Sequence, residues 1–177
     1  MLIVGIILNP QFQEKINEFF KTDKIPTIEI KPPSHNPQII AKLIFEKSNK
    51  AREENGRKPL VWHNSLAKLA YEKSMDMGLK NYFDHTSPEG ETFEMRLRKA
   101  GFSIYGAGEN IFLLEEKPFL YSSDEEIATK VVNGWLNSPG HRANLLDPEF
   151  KYTGVGVYIT NGKVYVTAIY KMAEYMP

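Results

Sequence analysis

Apolar side chains recur along this chain with two periods, one helical and one extended, and the two together mark out its elements. Ile39, Ile40, Leu43 and Ile44 fall three and four apart, as one buried helical face requires. Asn36 followed by Pro37 starts that helix: the asparagine caps free amides, and the proline is already shaped for the first turn. It is predicted to run to about Glu54, with Gly56 as its left-handed stop. A second helix opens near Asn64 and Ser65, buries Leu66, Leu69, Ala70 and Met77, and ends between Gly78 and Lys80. The loop NYFDHTSPEG leads to a short helix from Thr92 to Ala100 that stops at Gly101. Ser123 with Glu126 forms a capping box for a further helix, on which Ile127, Val131 and Trp135 share a face. Ser138, Pro139 and Gly140 are expected to end it and to aim His141 out of the turn. ANLLDPEF then reads as a short helical turn and a loop.

The extended period appears in GAGENIFLL, read as loop into strand, and in GVGVYIT and KVYVTAIY. Asn161 and Gly162 join the last two into a two-residue hairpin. This order predicts an α+β domain with helices stacked on a small antiparallel sheet.

Ahead of the domain, residues 1–35 read as a leader. An apolar start, MLIVGIIL, precedes an amphipathic segment around Phe12, Ile16, Phe19 and Phe20, and Pro26, Pro32, Pro33 and Pro37 punctuate an extended connector. The domain is placed at residues 36–177, with its boundary near Asn36. MLIVGIIL is too short to span a bilayer; a remnant of a signal or N-terminal anchor and a short element lying on the domain are both consistent with it.

At 177 residues the chain suits one domain with a sizeable core. Lysine plus arginine equals aspartate plus glutamate, at 22 each, so no basic footprint for nucleic acid is present. The absence of cysteine removes disulfides, thiolate nucleophiles and Cys-ligated zinc from the possible chemistries.

Five ordered motifs then carry a resemblance. SNKAREENGRKPLVWHNSLAKLAYEKSMDM, FDHTSPEG, GENI, WLNSPGHRANLL and VGVYITNGKVYVTAIY resemble, in order and spacing, the CAP superfamily of cysteine-rich secretory, antigen 5 and pathogenesis-related proteins. The unit is also called the SCP domain, and the likeness, over residues 38 to 172, is to its compact prokaryotic branch. The resemblance implies a three-layer α/β/α sandwich, an extracytoplasmic location at the cell surface or beyond, and a cleft lined by two histidines and two glutamates. It places His85, Glu109 and His141 at three of those four positions. Ser138 stands where animal and plant members have the second glutamate. Ala168 and Tyr170 stand where many prokaryotic relatives have glutamine and phenylalanine. Trp135, Asn110, Pro139 and Gly140 are read as structural residues around the cleft.

Two imidazoles and a carboxylate with an open position form a shell suited to zinc or another divalent metal. The spacing does not fix that shell, because no HExxH helix sets two ligands by geometry. A hydrogen-bonded polar cluster, with Glu109 orienting one histidine, uses the same residues. A non-enzymatic binding module with an unidentified cleft ligand, a lipid or a peptide, is therefore preferred. A metal-dependent hydrolase of peptidase type is the second reading, and a lipid or sterol carrier the third. Ser138 and His141 make a poor nucleophile pair because no orienting acid is assignable; Ser138 is read as a helix-end hydrogen bonder. His63 is read as a helix-entry residue and His35 as a leader residue without a partner. Glu115, Glu116, Asp124, Glu125 and Glu126 are read as a solvated stretch and helix start. Phe83, Phe93, Tyr105, Phe112, Phe119 and Tyr121 are read mainly as core.

Overall fold

In the computed structural model, residues 34–115 and 122–175 are described. The MLIVGIIL start, the Phe12 to Phe20 segment, Pro26, Pro32, Pro33, Glu116, Phe119 and Tyr121 lie outside them.

Helix α1, Pro37–Glu54, begins where Asn36 accepts from the amides of Gln38 and Ile39, and it closes at Asn55 and the left-handed Gly56. Its buried stripe runs Ile40, Ile44, Ser48 and Arg52, one helical turn apart. Arg52, fully buried, donates to the carbonyls of Lys58, Leu145, Asp147 and Phe150, tying the end of α1 to the approach to the hairpin. Strand β1, Val61–Trp62, leads into α2, Asn64–Lys80, whose N-cap is His63: its ring nitrogen accepts from the Leu66 amide. Helix α3, Phe93–Lys99, is capped by Thr92 and followed by Gly101 at φ +80°. Strand β2 spans Ala107–Leu114, and α4, Asp124–Asn137, opens with the complete Ser123 and Glu126 capping box.

The end of α4 differs from expectation. Pro139 does not merely stop one helix; it is the first residue of another, α5, Pro139–Leu145, so His141 sits in a helical first turn rather than projecting from a break. Proline is as good a helix start as a helix stop, because the first turn has no use for its missing N–H. Ser138 closes α4 and opens α5 with extended backbone, yet its side chain makes no capping bond, contrary to its reading as a helix-end hydrogen bonder.

Strands β3, Phe150–Thr160, and β4, Lys163–Met172, form the expected hairpin around Asn161 and Gly162, both at positive φ. The sheet order is β1-β3-β4-β2. It is antiparallel across β3, β4 and β2, and β1, too short to stand out in the sequence, adds a parallel edge by pairing Val61 with Tyr152 and Trp62 with Thr153. On β4 the side chains alternate: Val164, Val166, Ala168 and Tyr170 join the core with α1, α4 and α5, whereas Tyr165 and Ile169 meet α2 and α3 residues on the other face. The architecture is therefore a three-layer α/β/α sandwich. No helix among the described residues is long and apolar enough to cross a membrane.

His35 also departs from its reading. Its Nδ1 lies 2.9 Å from Asp124 Oδ1, so it joins the start of α1 to the start of α4. A chain begun at Ser34 keeps this tie and every described cap. It is expected to melt in a single transition within a few degrees of the full chain; aggregation or a broadened transition would place residues 1–33 in the core.

Candidate functional site

Strand β2 is a sheet edge, and its GEN segment faces both helical layers at once. Consecutive strand residues point to opposite faces, so Glu109 turns toward α3 and Asn110 toward α5.

Glu109 is the pivot of the first side. Its side chain is 1% exposed, and both oxygens are engaged: Oε1 accepts from His85 Nδ1 at 2.8 Å and Oε2 from Arg96 Nη2 at 2.7 Å. Arg96 also donates through Nη1 to the carbonyls of His85, at 3.0 Å, and Glu91, at 3.4 Å, which fixes the loop carrying the histidine. Because a carboxylate only accepts, His85 carries a proton on Nδ1, and it is the Nδ1–H tautomer, with its lone pair on Nε2, that this bond selects. The His85 side chain is 49% exposed, so a buried carboxylate is holding a solvent-facing imidazole in one orientation.

Asn110 organises the second side. Fully buried, it donates to the His141 carbonyl at 2.9 Å and to the Tyr170 hydroxyl at 3.4 Å, and its Oδ1 accepts from Asn144 at 2.9 Å. Asn144 donates also to the Glu109 carbonyl at 3.3 Å, and a Cβ added to Gly108 would lie only 3.0 Å from its Oδ1, so α5 is seated directly on the GEN backbone. Trp135 is fully buried and donates to the Ile111 carbonyl, which locks α4 to the same strand. Tyr170, at the position that departs from the family pattern, stacks on Phe150 and presents its hydroxyl to Asn110; burial pushes that hydroxyl's pKa upward. Burial, and secondarily the nearby His85, push the His141 pKa below the ordinary imidazole value, so its ring is neutral at pH 7.

His85 and Glu109 are thus in direct contact, and His141 is anchored through its carbonyl to Asn110, the next residue of the same strand, near enough to His85 for an electrostatic interaction. Their roles are unequal. Among the described residues no group of three His, Asp or Glu side chains is gathered closely enough to hold a metal ion. Each Glu109 oxygen already accepts a hydrogen bond, so a metal taking Glu109 directly would compete with His85 and Arg96 for it. The donors that suit a metal are the two imidazoles, with Glu109 behind one of them in the outer role common for carboxylates at histidine sites.

The other chemistry-bearing residues lie apart. His63 belongs to the α2 entry. Asp124 and Glu125 pair with His35 and Lys47, and Glu115 with Lys163, so the acidic stretch is spread over separate contacts. The described aromatics divide over the core reading. Phe83 and Tyr105 are exposed, and Phe93 and Phe112 pack half-buried against clusters on opposite faces of the sheet. The sequence reading missed Arg96 and Asn144. Arg96 had a signal: it stands three after Phe93 and one before Leu97, on the apolar face of α3. Asn144 had none.

A model of the cysteine-rich secretory protein family, CAP, matches residues 45–170. The protein YkwD of Bacillus subtilis (strain 168) is 41% identical over 125 residues, covering 70% of this chain and 44% of YkwD. The membrane protein YlbC of the same organism is 35% identical over 116 residues, covering 66% of this chain and 31% of YlbC. The chain therefore spans less than half the length of the curated relatives it matches. An extracellular SCP-domain protein from Bacillus anthracis superposes with a TM-score of 0.64 at 32% identity, covering 77% of this chain and 41% of that one. An outer surface protein from Borrelia burgdorferi shares the fold, with a TM-score of 0.63 at 21% identity, covering 80% of this chain and 98% of that one. A match across most of the described domain, on a fold shared at over 30% identity, leaves one assignment: the chain belongs to the cysteine-rich secretory protein (CAP) family.

Proposed function

We propose that this chain is a non-enzymatic, extracytoplasmic binding module whose ligand site is the His85 and His141 cleft, with a divalent cation as the ligand chemistry its donors fit. The observation that carries the reading is the buried Glu109 bonded to Nδ1 of a half-exposed His85. That bond directs the Nε2 lone pair outward at no further cost in ordering, and the neutral His141 supplies a second imidazole. A cation held there would supply Lewis acidity toward an oxygen or nitrogen of a partner. The extracytoplasmic assignment draws support from the Bacillus anthracis relative, which is described as extracellular.

A hydrolase is less well supported by the same geometry. Such an enzyme needs a carboxylate free to ligate or to take a proton, and both Glu109 oxygens are committed. Ser138 occupies the position that would provide another.

Zinc titration followed by thermal melting tests the reading. At pH 7.5 the wild-type melting temperature is expected to rise saturably with zinc, and His85→Ala and His141→Ala should each abolish the rise. Ser138→Glu, which restores a carboxylate one turn from His141, should preserve or enlarge it. An imidazole must be neutral to ligate, and burial holds the His141 pKa below the ordinary imidazole value of about 6.5, so its contribution to affinity should persist at that pH and be lost only as pH drops further. A wild-type protein whose melting is unmoved by millimolar zinc would exclude the cation.

A further inference from the structure

Between α2 and α3 lies a cavity of about 610 Å³, lined by Lys73 and Arg96 together with Leu69, Leu79 and Phe102. Its outer charges are balanced. Lys68 pairs with Glu72, Lys80 with Asp76, and Lys99 with Glu91. The inner charges are not. Arg96, 7% exposed, is answered by Glu109 from behind, but Lys73, 1% exposed, has no carboxylate within 4.0 Å among the described residues. Its ammonium contacts Tyr82, with the hydroxyl at 2.9 Å and the ring centroid at 4.7 Å. Tyr82 does not neutralise it, because burial and the hydrogen bond to Asp76 favour the protonated phenol.

Two buried cations therefore share one buried carboxylate. In addition, Arg96 Nε is buried with no hydrogen-bond partner among the described residues. Glu109, Asp76 and Asp84 act on the Lys73 ammonium only at a distance, and Arg96 opposes it. An ammonium withdrawn from water with no carboxylate in contact is costly, and an orphaned guanidinium donor adds to that cost. Burial lowers the Lys73 pKa to about 8, which leaves the amine mostly charged at neutral pH. A bound anion would supply the missing charge and acceptors. The apolar side chains on the same walls suit the carbon portion of a small molecule, and the volume is that of a small-ligand pocket.

We propose that this cavity binds a small oxyanion, a carboxylate or a phosphate, with its oxygens toward Lys73 and Arg96 and any apolar portion against Leu69, Leu79 and Phe102. The site is separate from the His85 and His141 cleft and does not depend on a metal there. Arg96 touches both, since its other nitrogens hold Glu109 and the His85 loop.

The test is melting of the full chain in sodium phosphate and in sodium acetate against sodium chloride at matched ionic strength. Wild type should show a saturable rise with at least one of the two oxyanions beyond chloride; which one responds identifies the headgroup class. Lys73→Met should lose that rise and melt higher than wild type in chloride, because it removes a buried charge that no carboxylate contacts. His85→Ala should retain the rise. If Lys73→Met does not fold, protection is read on wild type. With the active anion at about four times its Kd, acetylation of Lys73 by acetic anhydride should slow about fivefold, while the exposed Lys50 and Lys151, outside the cavity, react as before. No rise beyond chloride, a rise that survives Lys73→Met, a rise lost in His85→Ala, or an unprotected Lys73 would each overturn the proposal.

Discussion

Gly156→Ala is expected to cost this protein most or all of its stability, on the order of 4 kcal/mol or more against a typical total of about 5 to 15. A Cβ built on Gly156 falls 2.0 Å from the backbone nitrogen of Tyr71, and one on Gly154 falls 2.0 Å from that of Ala67. Neither clash can be relieved by a side-chain rotation, because the obstacle is helix backbone. The two contacts share a cause. Residues two apart on a strand advance about 6.7 Å, and residues four apart on a helix about 6 Å, so α2 and β3 can lie in backbone contact over successive turns. The seam continues where Ser74 donates to the Gly156 carbonyl and where Gly78 makes room for Tyr158. Gly140→Ala is the control. Gly140 lies inside α5 with nothing within 4 Å of an added Cβ, so the change should be neutral or stabilise by up to about 1 kcal/mol. Urea melts of the two alanine variants decide the point, and a Gly156→Ala protein with the wild-type midpoint would mean that α2 does not rest on β3 in this way.

That seam also shows what the sequence could and could not reveal. Alternation and capping are local, so α1, α2, α3, the Ser123 capping box and the Asn161 and Gly162 turn were legible residue by residue. The GVG run reads as strand, but the reason for its glycines is a helix some 85 residues earlier, and nothing local announces it. Strand β1 is defined by its pairing with β3 rather than by any pattern in its two residues. At Pro139 a single residue type serves two opposite signals, and only the position of α5 on the GEN backbone decides between them. For the site, the family resemblance brought His85, Glu109 and His141 together, and spacing alone did not. The counter-charge of Glu109 was partly visible, since Arg96 continues an apolar helical stripe just as Arg52 does on α1. A cation on a buried face must have partners, and that expectation can be read before any coordinates exist.

Glu109→Ala should destabilise by about 3 to 5 kcal/mol, because it strands the buried Arg96 guanidinium without its carboxylate. The origin of that loss can be isolated. Replacing both partners, as Glu109→Leu with Arg96→Met, removes the charges together and should recover most of the stability, since a buried pair exchanged for apolar residues of similar volume is often near neutral. Glu109→Gln separates stability from the proposed cleft chemistry. The amide oxygen can still accept from Arg96, so the fold should be damaged less than in the alanine variant. The amide nitrogen, however, can only donate toward His85, whose Nδ1 must then accept, and the ring proton moves to Nε2. A ring protonated there presents no lone pair to the cleft. Zinc affinity in Glu109→Gln should accordingly fall about 10- to 100-fold, and ¹⁵N spectra of the His85 ring should report the exchanged tautomer. Unchanged zinc binding in this variant, with the tautomer exchanged, would take His85 Nε2 out of the binding site and leave Glu109 with a purely structural role.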